Sequence, residues 1–282
     1  MNETIKTIIL FSLLGLLLMT VGNVFGGQNM MWWMMFFSIA MNIGVYFYSD
    51  KIALYSAGAT PLDEKKYPEV RSVVENLARK AKIPVPKLFF SGDMQPNAFA
   101  TGRNPENSSV LVTYGLLETL DKEQLKGVLA HELSHIRNRD VLLATVASVI
   151  ASLITGVISI ARWSFIFGGD DRNRNGLETL AMIIIAPIAA VIIQMAISRQ
   201  REFKADESGV KLAGNSEGLS SALLKIDSIS KRVPALATNP AFSNLYIASP
   251  FRGQEALGIM QRLFSTHPPV KERVERLREI KI

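Results

Sequence analysis

Two histidines four residues apart, His131 and His135, stand in the run His131-Glu132-Leu133-Ser134-His135. On a helix, residues i and i+4 share a face, so both imidazoles can reach one metal ion. Glu132 lies beside that face, placed to reach a water at the metal without being a ligand itself. A bound zinc ion lowers the pKa of a water from about 15.7 to roughly 7. A neighbouring carboxylate can take the proton released and later deliver it to a leaving amine. The spacing therefore supplies the parts for peptide-bond hydrolysis. A five-residue pattern also arises by chance, but two of the only three histidines in the chain fall within it. Val128, Leu129, Leu133 and Ile136 flank the pair and would bury the helix and dry the site, and Asp121 is a suitable N-cap for it.

A catalytic zinc needs a third protein ligand and one open position. The sequence has no cysteine, which leaves His267 or a carboxylate. The most suggestive carboxylate is Glu202, in Arg199-Gln-Arg-Glu-Phe-Lys-Ala-Asp206. Asp206 lies one helical turn beyond it on the same face, where it could accept a hydrogen bond from a metal-bound histidine. His267 stands in Ser265-Thr266-His267-Pro268-Pro269, a stiff turn followed by a basic helix containing Arg273. It is either an ordinary surface or core residue or a donor to a developing oxyanion.

These residues must be positioned by a chain with an unusual apolar burden: 282 residues, a fifth of them charged, and yet a mean hydropathy of +0.20. Four segments, at residues 5–25, 30–48, 141–161 and 179–198, are apolar over roughly the 20 residues that cross a bilayer. The first two form a helical hairpin around a Gly-Gly-Gln-Asn linker. Lys6 could instead begin a signal peptide, but a second apolar segment follows at once and the cleavage pattern is poor. Of 31 lysines and arginines, 13 lie between residues 50 and 140 and 14 between 199 and 282; the first linker has none and the loop after the third segment has three. The positive-inside rule places both charged stretches and both termini in the cytosol. The net charge of +6 belongs to these membrane flanks; with no zinc-finger pattern, no aromatic-interleaved basic stretch and no glycine-rich phosphate loop, nucleic acid is excluded as a partner.

The expected fold is a mainly α integral membrane protein: four apolar helices plus a cytosolic zincin-like α+β protease domain split by the second helical hairpin. Residues 1–49 form the first hairpin, 50–140 the first half of the domain, 141–198 the second hairpin and 199–282 the second half. Within the domain the pattern predicts a helix over 68–82, β-like runs at 87–91 and 109–114, and a helix from Asp121 that continues through His135 toward the third apolar segment. A small sheet would offer an edge strand to an extended peptide.

With these motifs in this order, the chain resembles the HtpX-type membrane zinc metalloproteases, relatives of the CAAX prenyl proteases, over essentially its whole length. The resemblance implies one Zn2+ per chain, Glu202 as its third ligand and Asp206 as the orienting group. It implies transition-state stabilisation by His267 with Arg273 as helper. It also matches Asn97-Ala98-Phe99-Ala100 to the strand beside the cleft, where Asn97 would hold substrate backbone. The implied role is quality control, cleaving unfolded or damaged membrane proteins at the cytosolic side of the bacterial inner membrane, with the lipid bilayer as a partner. Three other readings fit less well. A non-catalytic scaffold would be favoured by loss of Glu132 or of a ligand, and a transporter by paired ionisable residues in the apolar segments. A prenyl-peptide protease would need more membrane helices. The sequence leaves oligomeric state open.

Overall fold

A computed structural model describes residues 3–152, 199–233, 245, 247 and 268–280. The chain begins with α1 (Glu3–Ser56), a helical element broken at Gly27, whose φ of 65° and ψ of −163° suit glycine alone. The break makes two arms, Thr4–Asn23 and Gly26–Ser56, each long and apolar enough to cross a membrane. They run back to back: Asn42 Nδ2 donates to the carbonyl of Phe11 at 3.2 Å, and Gly22 lies so close to Met34 that a Cβ there would sit 2.7 Å from its Cγ. Small residues at such a crossing let helix backbones approach. The opposite faces expose Ile8, Leu16, Trp33, Phe36 and Ile43. So large an apolar surface suits hydrocarbon rather than water. The expected four-residue linker shrinks to Gly27, with Gln28 and Asn29 already helical, and the second arm continues past residue 48 to Ser56.

That extension delivers the chain to a four-stranded sheet of β1 (Thr60–Pro61), β2 (Lys87–Ser91), β3 (Ala98–Asn104) and β4 (Asn107–Thr113). The order is β1-β2-β4-β3, with β2 and β4 parallel and the outer pairs antiparallel. Successive strand residues point to opposite faces, and here each face has its own core. Ala98, Ala100, Val110 and Val112 join the main core of the domain; Phe99 and Leu111 join a second cluster with Leu10, Val45, Leu54, Val146 and Ile150. The sheet thus lies between the catalytic helices and the root of the membrane hairpin.

Between β1 and β2 runs α2 (Pro68–Ala81), which starts on a proline at its first turn and ends at Lys82 in the left-handed conformation. A short helix, α3 (Tyr114–Thr119), leads from β4 to α4 (Lys122–Asn138). The start of α4 is a reciprocal capping box: Asp121 Oδ1 accepts from the Gln124 N–H at 2.9 Å, and Gln124 Oε1 accepts from the Asp121 N–H at 3.1 Å. The helix runs through His135 toward the third apolar segment, as expected, and stops just short of it. It closes at Arg139, left-handed with φ 59°, and a separate helix, α5 (Val141–Ser152), begins. The domain resumes with α6 (Arg199–Ala213), α7 (Glu217–Ser230) and α8 (Val270–Glu279). Two bilayer-length helices are therefore described. The rest of the third apolar segment, all of the fourth and the loop between them lie outside the described residues, as does His267.

Candidate active site

The HExxH run sits in the middle of α4, where every residue from Gly127 to Ser134 is buried. Helix α6 packs against it at contact distance: a Cβ added to Gly209 would lie 3.0 Å from both Cα and N of His131. Glu202, Asp206 and Gly209 follow one another at i, i+4 and i+7, so the face that touches α4 through glycine also carries both carboxylates to the histidines.

Each histidine is held from behind. Asp206 Oδ1 lies 2.9 Å from His131 Nδ1, and Asp140 Oδ1 lies 3.0 Å from His135 Nδ1. A carboxylate facing Nδ1 keeps the proton there in the neutral ring and leaves the Nε2 lone pair for a metal. The two Nε2 atoms converge to 3.1 Å, with Glu202 Oε2 3.7 Å from His131 Nε2 and Glu202 Oε1 3.6 Å from His135 Nε2. Ligand atoms ~2.0–2.2 Å from a tetrahedral zinc stand ~3.3–3.5 Å apart, so this donor set fits such an ion. The His131 side chain is 1 % exposed, whereas His135 and Glu202 keep 16 % and 12 %, so the cluster opens to solvent on their side. Glu132 does not join the three; its Oε2 accepts from the Ala100 N–H of β3 at 2.8 Å.

Behind Asp206 stands Arg273 of α8, fully buried, donating Nε to Asp206 Oδ2 at 2.9 Å and Nη2 to Oδ1 at 2.6 Å. The expectation for Arg273 was help at the oxyanion; the structure places two arms of its fork on Asp206 and the third, Nη1, on the carbonyl of Ile247 at 3.2 Å. Asn97, expected to hold substrate, is buried, and its Oδ1 accepts from the N–H groups of Ala98 and Ile247, both at 3.0 Å. Sequence reasoning missed Asp140. Its only signal was an acidic residue just past the end of the HExxH helix, and without the left-handed turn at Arg139 it would not fold back onto His135.

The charges are strongly perturbed. Burial pushes Glu132 up to about 8. Burial alone would lower His135, but the charges of Asp140 and Glu202 carry it up to about 10. Burial likewise holds His131 below the ordinary histidine value. Burial would raise Asp206, yet the Arg273 charge and the His131 hydrogen bond hold it below the usual carboxylate range. In the metal-free protein His135 therefore carries a proton at neutral pH that a metal must displace. Metal uptake that leaves Glu132 as the base should release about two protons near pH 7, one from His135 and one from Glu132, and tighten as pH rises; calorimetry in buffers of different ionisation enthalpy measures this.

The comparisons with known proteins agree with this geometry. Residues 64–281 match the model of peptidase family M48. The chain belongs to peptidase family M48. It is 45 % identical to a protease HtpX homolog of Pelotomaculum thermopropionicum over 285 residues, 99 % of this chain and all of that one. It is 42 % identical to protease HtpX of Legionella pneumophila, with 99 % of each chain covered. Among solved structures it is similar to the crystal structure of S. mikatae Ste24p, with a TM-score of 0.50 and 20 % identity; 98 % of this chain is covered but only 65 % of that one. That last likeness concerns the fold alone. This M48 member is a membrane-anchored metalloprotease, with a helical domain around a small sheet and a His131–His135–Glu202 group that could hold its metal.

Proposed function

We propose that the metal is zinc, held by His131, His135 and Glu202, and that the enzyme is an endopeptidase acting in the quality control of misfolded or damaged membrane proteins. The observation that carries the catalytic part is the convergence of two Nε2 atoms and Glu202 on one point while each Nδ1 rests on a carboxylate. Bound zinc would supply Lewis acidity, making water a nucleophile at neutral pH and polarising the scissile carbonyl. Glu132 is the general base and then the acid that protonates the leaving amine. Asp206 and Asp140 fix the imidazoles, and Arg273 fixes Asp206. His267 is the proposed donor to the oxyanion, and Asn97 with the β3 edge aligns substrate backbone. Two imidazoles and one carboxylate are a donor set that catalytic zinc takes, and ligand type with metal availability, rather than the affinity order, supports zinc over manganese or cobalt.

The membrane part of the reading rests on the sheet. Phe99 of β3 is packed among residues of the membrane hairpin, so the catalytic strand stands at the foot of the anchor. We propose that this foot faces the cytosol at the bacterial inner membrane, a reading supported by the lysines and arginines of residues 50–140 and 199–282. The test uses purified protein in lipid nanodiscs, with a membrane-tethered substrate in folded and destabilised forms and the same unfolded segment free in solution. Zinc-dependent cleavage confined to the destabilised tethered form is expected. Equal cleavage of the free segment would remove the membrane-protein role and leave the protease. If zinc-loaded protein cleaves none of them, the endopeptidase reading fails.

A further inference from the structure

The outer edge of β3 already has an occupant. In an antiparallel pair alternate residues turn their backbone groups away from the partner strand. The Thr113 N–H donates to Asn97 O toward β4, so Ala98 and Ala100 face outward. The Ala100 N–H meets Glu132. Two residues earlier, ~7 Å along the strand, the Ile247 N–H is shared between Ala98 O at 3.2 Å and Asn97 Oδ1 at 3.0 Å. The Ile247 carbonyl accepts from Arg273 Nη1, the guanidinium that also holds Asp206. Its side chain is 1 % exposed, within the main apolar core.

An extended peptide adds to a sheet edge through its backbone groups, with side chains in pockets beside the edge; Ile247 makes the N–H half of that contact with β3, and Arg273 takes its C=O. We propose that Ile247 fills a substrate subsite, so that the enzyme is held in check by its own chain until an extended apolar segment, with an aliphatic residue in the Ile247 pocket, displaces it. This rests on the endopeptidase reading above. It ties the substrate class to the regulation: a folded protein presents no such extended apolar segment, whereas an unfolded one does.

Ile247→Pro removes the N–H that both acceptors share. If displacement of Ile247 limits access, kcat/KM on an unfolded apolar substrate should rise about five- to thirty-fold, the worth of one or two hydrogen bonds. An unchanged or lower kcat/KM, at wild-type zinc content and melting temperature, would overturn the proposal. Should the variant fold poorly, hydrogen exchange on zinc-loaded Glu132→Gln decides, using a saturating apolar peptide whose binding is followed by fluorescence anisotropy. Exchange at the Ile247 amide accelerates with peptide if Ile247 yields its place; unaltered protection with the peptide bound means a purely structural contact and sinks the idea. Failure of the unmodified enzyme to cleave any substrate would instead show that the endopeptidase reading is wrong, and this one would fall with it.

Discussion

Replacing Glu132 by glutamine is expected to leave zinc content at the wild-type level and to lower kcat/KM by about 10²–10⁴-fold, the usual contribution of a positioned general acid–base group. Glu132 lies outside the three-residue ligand group, and the Ala100 N–H that its carboxylate accepts finds an oxygen on glutamine as well. The fold should not suffer. In the metal-free protein the carboxyl is protonated up to about pH 8 because burial disfavours its charge. Its folded pKa lies above the unfolded one, so its contribution is intact at pH 4 and lost progressively as pH rises toward 8. Chelated Glu132→Gln should therefore melt at or above the wild-type temperature, with the difference growing as pH rises. Loss of zinc in the variant would make Glu132 part of the metal site rather than the base. Retention of zinc with undiminished cleavage would remove it from the mechanism.

The contrast between Glu132 and its neighbours shows what was legible in the chain. The histidine pair and the capping box depend on spacings of three and four residues within one helix, and local geometry turns such spacings directly into contacts. Glu202 and Asp206 could be paired by the same rule; that they face α4 depends on Gly209, which has no signature of its own until the two helices meet. Asp140 was hidden because one left-handed residue, Arg139, takes it out of helical register. The strands were only partly legible: β2 and β4 showed as apolar runs, whereas β3 is buried from Ala98 to Gly102, which erases the alternation of apolar and polar residues that marks a half-buried strand. The turn-like Gly102-Arg103-Asn104 disguised the end of β3, where the register shifts. The membrane segments were the clearest of all by composition, and two of them stand in the structure as apolar helices.

Arg273 and Asp206 lie 67 residues apart, and no periodicity joins them; their pairing makes the second strong prediction. Each is nearly or wholly buried. Removing one partner leaves the other as an uncompensated charge, a loss of about 3–5 kcal/mol. Asp206→Asn should show that loss and, in addition, a zinc affinity about 10–100-fold weaker, because His131 Nδ1 loses its carboxylate. Arg273→Met should lose comparable stability. The double variant Asp206→Asn/Arg273→Met separates the two roles. With both charges gone its stability should return to near wild type, since a buried ion pair replaced by apolar groups of similar size is often neutral. Its zinc affinity should stay low, since the orientation of His131 is still unsupported. Chelator competition and thermal unfolding of the chelated protein in detergent measure the two quantities separately. Recovery of both in the double variant would mean that Asp206 serves only to neutralise Arg273. Recovery of neither would mean that the pair is required for the packing of α6 against α8. Recovery of stability alone is the outcome expected if a carboxylate held by a buried guanidinium positions the metal-binding histidine.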